Sequence, residues 1–91
     1  MFIIFLVFLQ FSTMENDERI FLIKFGENIR KIRISLNLSQ EMLANDANIP
    51  INQIGRIERA EISTSLNTIF KIAKALSIDP NKLFLFDISK Q

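Results

Sequence analysis

From residue 17 onward, apolar positions recur at helical spacing, and no stretch alternates as a half-buried strand would. Phe21, Phe25, Ile29, Ile32 and Leu36 follow one another at steps of four, four, three and four. That stripe predicts an amphipathic helix over about 17–36 with one side on a core. Asp17 and Glu18 fall in its first turn, where carboxylates suit the positive end of the helix dipole. Asn37, which tolerates left-handed backbone, is a plausible stop. Ser39 then caps a second segment, QEMLANDA, with Leu43, Ala44 and Ala47 inward.

In the tripeptide NIP, Asn48 suits the positive φ of a tight corner, and Pro50 suits the first turn of a third helix over about 51–59. Ile54 and Ile57 point one way on that helix. Asn52, Arg56 and Arg59 follow at steps of four and three on the opposite side. Ser65 is the expected cap of a fourth helix, with Leu66, Ile69, Phe70, Ile72, Ala73 and Leu76 as a broad buried face. Asp79 as cap and Pro80 at the first helical position open a fifth, DPNKLFLF. The expected fold class is all-α, a compact bundle of five short helices over 14–86, with 87–91 a short tail.

The first residues stand outside this pattern. MFIIFLVFLQFST holds ten apolar residues in thirteen, including Phe2, Phe5, Phe8 and Phe11. A spanning helix needs about 20 apolar residues, and a secretory signal needs a basic start and a small-residue cleavage site. Three readings are open for 1–13: a membrane-lying segment, an extra core helix, or a leader created by a misplaced translation start. The last is favoured, because Met14 begins a sequence that starts a helix. Peptides spanning Phe2 to Phe11 in protein from the native host would overturn it. A translated leader would expose its phenylalanines and promote aggregation, membrane adhesion or self-association.

Composition removes several classes of chemistry. The chain of 91 residues suits one domain with a core near the marginal size. It lacks cysteine, which excludes disulfides and thiolate metal sites and fits a reducing compartment such as the cytoplasm. It lacks histidine, the commonest general base and metal ligand. Its two glycines, Gly26 and Gly55, form no phosphate-cradling loop. These features weigh against an enzyme, and no cofactor or small-molecule ligand is expected. A net charge of +1 points to no partner, so any basic surface must come from arrangement along the chain.

Two short helices around a tight corner describe an ordinary helical hairpin equally well. The residues between them say more. LSQEMLANDANIPINQIGRIER resembles the helix-turn-helix of the phage repressor and Cro-like family, also called XRE-like. The family's Leu-Ser-Gln, Leu-Ala, corner, aliphatic, Ile and Glu places are held here by Leu38, Ser39, Gln40, Leu43, Ala44, Asn48, Ile49, Ile54 and Glu58. FGENIRKIR before the motif and SLNTIFKIAKALSIDPNKLF after it extend the resemblance over roughly 25–84. It implies a lambda repressor-like fold whose first motif helix crosses the DNA backbone and whose second reads the major groove.

Asn52 and Gln53 suit two-point pairing with adenine, and Arg56 suits the O6 and N7 of guanine. Ile51 either contacts a thymine methyl or flanks the docked side. By resemblance, Gln40 bonds a phosphate and braces the reading helix. Arg59 is either a phosphate contact or a solvated charge. The resemblance also implies an ion pair between Arg33 and Glu58, and a carboxylate inward of Ile54 would need such a partner. Three places depart from the family: Asn48 and Ala60 where glycine is usual, and Thr64 where proline is common. Ala60 either lengthens the third helix by a residue or costs stability.

The function expected is a sequence-specific, DNA-binding transcriptional regulator, a homodimer on an inverted repeat of double-stranded DNA. Its candidate dimer surface is the last helix and tail. Phe86 is the residue to watch there, and Leu83 and Phe84 could simply be buried. With no sensor domain, such a regulator would act through its concentration. The competing reading is a protein-interaction module with the same fold, such as an antitoxin or a membrane-tethered adaptor.

Overall fold

Four α-helices and a closing 3-10 turn make up the computed structural model, which describes residues 16–88. They are α1 (Asn16–Ser35), α2 (Gln40–Ala47), α3 (Ile51–Glu58), α4 (Leu66–Ala75) and the turn Pro80–Phe84, with no strand among the described residues. The apolar leader 1–13, with its reading as a misplaced start, lies outside the described residues, as do 89–91. None of the described helices is long and apolar enough to cross a membrane.

Side chains set the starts of three elements. Ser39 Oγ accepts from the Met42 amide at 3.0 Å, Ser65 Oγ from Thr68 at 3.1 Å, and Asp79 Oδ1 from Asn81 at 3.1 Å. Each meets a donor that a helix leaves without an internal partner. The fifth element starts where Asp79 and Pro80 place it, but it is a 3-10 turn and not an α-helix. Five residues suffice to deliver Leu83 to the core, and 3-10 geometry serves runs of that length.

The helix ends share one rule. A residue with positive φ closes each α-helix: Asn37 (59°), Asn48 (57°), Ala60 (58°) and Ser77 (58°). The amide two residues past the last helical carbonyls reaches back each time: Leu38 to Arg33 O (3.1 Å), Ile49 to Ala44 O (3.0 Å), Glu61 to Arg56 O (2.8 Å) and Ile78 to Ala73 O (3.0 Å). These are Schellman closures built without glycine. Ala60 does not lengthen α3, which stops at Glu58; it takes the strained backbone instead. Its methyl is buried, and that contact offsets part of the strain. Leu38, Ile49 and Ile78 come directly after three of the closures and pack on the core. The fourth such position holds Glu61, a carboxylate.

Every element contributes to the core: Phe25 and Ile29 from α1, Leu43 and Ala44 from α2, Ile54 and Ile57 from α3, Ile72 and Ala73 from α4, then Leu76 and Leu83. Asn28 Nδ2 ties α1 to the closing turn, donating to the carbonyls of Lys82 and Leu83 at 2.9 Å each. The Phe25 and Phe84 rings stack with centroids 5.0 Å apart.

The periodicity overstated burial at the ends. Leu36 and Phe21 at the extremes of the α1 stripe are exposed by 46% and 38%, although the Phe21 ring leans on Phe84 and Phe86. On α4, Leu66 is 83% exposed and Phe70 55% exposed, so the broad face shrinks to Ile72, Ala73 and Leu76 with Ile69 half-buried. Leu66 is the first helical residue, and Phe70 sits about 100° round the helix from Ile69. In the LFLF stretch Leu83 is fully buried and Phe86 packs against the core, whereas Phe84, stacked on Phe25, is still 37% exposed and Leu85 is the most open residue.

Candidate nucleic-acid interface

The corner between α2 and α3 turns on Asn48, whose left-handed backbone redirects the chain into Ile49 and Pro50. Ile49 packs on the core, and Pro50 stands just before the first turn of α3, where a missing amide hydrogen costs no helical bond. Eight residues give α3 a length of about 12 Å, close to the width of a major groove.

One side of α3 is clamped. Ile54 is fully buried and Ile57 nearly so. At the C-terminal end, Glu58 Oε2 lies 2.6 Å from Arg33 Nε and Oε1 lies 3.1 Å from Arg33 Nη2, a two-point pair between α1 and α3. The Glu58 side chain is 2% exposed and the Arg33 side chain 10%. Arg33 Nη1 also donates to the Leu38 carbonyl at 2.7 Å, and Gln40 Nε2 donates to Glu58 Oε1 at 3.0 Å. One carboxylate thus joins α1, the start of α2 and the end of α3.

Both glycines serve this junction. A Cβ on Gly26 would lie 2.6 Å from the Glu58 carbonyl oxygen and closer still to that of Ile57. The backbones of α1 and α3 touch there. At Gly55 the absent Cβ leaves room for Gln40 Oε1 and the Arg59 guanidinium to lie over α3.

The opposite side of α3 is open. Asn52 and Ile51 are exposed, Ile51 by 52%, while Gln53 is half-buried. The side chains of Arg56 and Arg59 are 43% and 58% exposed. Gln40 is half-buried, with its amide on Glu58. An open polar cleft beside α3 is lined by Glu27, Arg30, Gln40, Glu58 and Arg59. The arrangement offers amide and guanidinium groups along one helix edge, the donor and acceptor types that base edges and phosphates accept.

Sequence reasoning missed Glu61. Its carboxylate lies 2.6 Å from Arg59 Nε and 3.8 Å from Arg56 Nε. The hydrogen bond from Arg59 holds the Glu61 carboxyl below its usual range and raises the Arg59 guanidinium above its own. A spacing of five from Arg56, across a helix end, matches no helical repeat, so periodicity gave no sign of the contact. The usable signal was a charge at a place where the other helices have an aliphatic residue after their closures.

A family model described as helix-turn-helix matches residues 29–83. Control protein C.BamHI of Bacillus amyloliquefaciens is 43% identical over 63 residues, 68% of this chain and 78% of that protein. Control protein C.SmaI of Serratia marcescens is 42% identical over 58 residues, 64% of this chain and 69% of its own length. Among solved structures, the restriction-modification controller protein C.AhdI from Aeromonas hydrophila superposes with a TM-score of 0.69 at 41% identity, over 69% of this chain and 96% of that one.

Proposed function

The chain belongs to the XRE-type helix-turn-helix family and is a DNA-binding transcription regulator, and from that premise we propose that it reads an inverted repeat as a homodimer through the open edge of α3. One observation carries the reading: Ile54 is fully buried while Asn52, within the same turn, is exposed. A helix held from behind by a core and an ion pair presents its free edge in a fixed orientation. In the groove, Asn52 and Gln53 pair with adenine, Arg56 pairs with guanine, and Ile51 lies against a thymine methyl. Gln40 meets a phosphate, which fixes register without reading sequence, and Arg59 stands at the end of the same edge as a cation paired with Glu61. The place of action is the cytoplasm.

The test is selection of bound sites from a random duplex pool with the full chain. The expected product is an inverted repeat with half-sites about one helical turn apart. Arg56→Ala should relax the choice at a guanine and Asn52→Ala at an adenine, each costing about 1–3 kcal/mol of discrimination. A shallow salt dependence with equal affinity for selected and random DNA would instead support a protein-interaction module.

Self-association is better served by α4 than by the tail. Leu66 and Phe70 stand one helical turn apart as a largely exposed pair, whereas in the tail Phe86 is partly buried against the core and Leu85 is the most open apolar residue. A twofold axis beside them would set one apolar pair against its copy. Leu66→Glu should leave the melting temperature nearly unchanged while converting dimer to monomer in sedimentation. A variant that remains dimeric would exclude this face.

A further inference from the structure

Glu61 sits where it does because of the backbone. Its amide bonds to Arg56 O at 2.8 Å in the closure that ends α3, and Ala60 holds the left-handed turn before it. The carboxylate is therefore delivered to the end of the reading helix. There it accepts from Arg59 Nε at 2.6 Å and from Arg59 Nη2 at 3.4 Å, with Arg56 Nε at 3.8 Å. Two bonds to one guanidinium reproduce the fork geometry by which arginine grips a phosphate.

The corresponding position after the other three helices is Leu38, Ile49 or Ile78, each packed on the core. Glu61 has no such packing role, being exposed. Its carboxylate faces Arg59, the cation at the end of the reading edge, with Arg56 farther off. A carboxylate at that place repels phosphates and competes with them for Arg59.

We propose that Glu61 is a specificity-determining residue that withholds Arg59 from the phosphates of random DNA, so that tight binding depends on base contacts along α3. The inference rests on the DNA-reading role of α3. On random duplex, Arg59 must leave Glu61 to gain a phosphate, so the gain is small. At a matched site, base contacts hold the complex and Arg59 stays where Glu61 puts it. Removing the carboxylate therefore favours random DNA more than the matched site.

The test compares the full-length wild type with Glu61→Gln on random duplex and on the selected site, across a salt series. Glu61→Gln should bind random duplex about 3–10-fold more tightly, with a salt slope steeper by about 0.9, the value for one added phosphate contact. Affinity for the selected site should change less than about twofold, so the specificity ratio falls. Most of the rise should vanish in an Arg59→Gln background. An unchanged slope and random-duplex affinity would overturn the proposal. So would an undiminished rise in the Arg59→Gln background, since net charge alone would then be the cause. If the wild type itself shows no salt-dependent duplex binding, the DNA-reading role falls first, and this inference with it.

Discussion

Arg33→Met is expected to destabilise the protein by about 3 kcal/mol, because removing one partner leaves the other as a buried charge. In a domain of this size that lowers the melting temperature by roughly 10–25 °C. The geometry gives three reasons for a large effect. Arg33 makes two bonds to Glu58, it joins α1 to that carboxylate through a full charge, and its third nitrogen holds the Leu38 carbonyl. Gln40 still donates to Glu58 in the variant and limits the loss. Lys31→Met, at an exposed position on the same helix, should change the midpoint by only a few degrees. The double variant Arg33→Met with Glu58→Met should recover much of the loss, because paired apolar groups avoid the desolvation of a lone carboxylate. Equal midpoints for Arg33→Met and Lys31→Met would show that the pair carries no stability.

Much of the scaffold was legible because it rests on local chemistry. Ser39, Ser65 and Asp79 each cap the next element because a short side-chain oxygen meets an amide two or three residues ahead. Ile54 and Ile57 could be placed inward because three-residue spacing on a short helix leaves no other shared side. The features that escaped the sequence depend on distance in space. Leu66 and Phe70 have the hydrophobicity of core residues, yet the packing of the bundle leaves both largely in solvent. The α or 3-10 character of the last element was equally hidden, since Asp79 and Pro80 start either one.

The open edge of α3 divides the same way. Asn52 could be placed there from the helical repeat, whereas Gln53 is half-buried by the chain around it. Glu61 reaches Arg59 only because a left-handed Ala60 reverses the chain, and alanine is a poor predictor of that backbone.

Gly26→Ala should be the most damaging single-methyl change in the chain, lowering stability by about 3 kcal/mol even though alanine favours helix by about 1 kcal/mol over glycine. The new Cβ would stand 2.6 Å from Glu58 O, and a carbonyl oxygen within a helix cannot swing aside as a side chain can. Relief requires α1 and α3 to separate, which loosens the core that Ile29 and Ile54 share and pulls Glu58 from Arg33. The reading edge then loses its fixed orientation, so affinity for the selected DNA site should fall along with the melting temperature. Gly55→Ala, on α3 itself, is the control. Its Cβ would come nearest to Arg59 Nη1 at 2.9 Å and Gln40 Oε1 at 3.1 Å, the far ends of flexible side chains. Stability should stay within about 1 kcal/mol of wild type, helped by helix propensity. DNA affinity should still drop, because both displaced groups border the open edge of α3. Thermal melts and salt-matched binding curves on the two variants separate backbone spacing from side-chain placement. If Gly26→Ala melts with the wild type, the approach of the two backbones is not what sets the position of the reading helix.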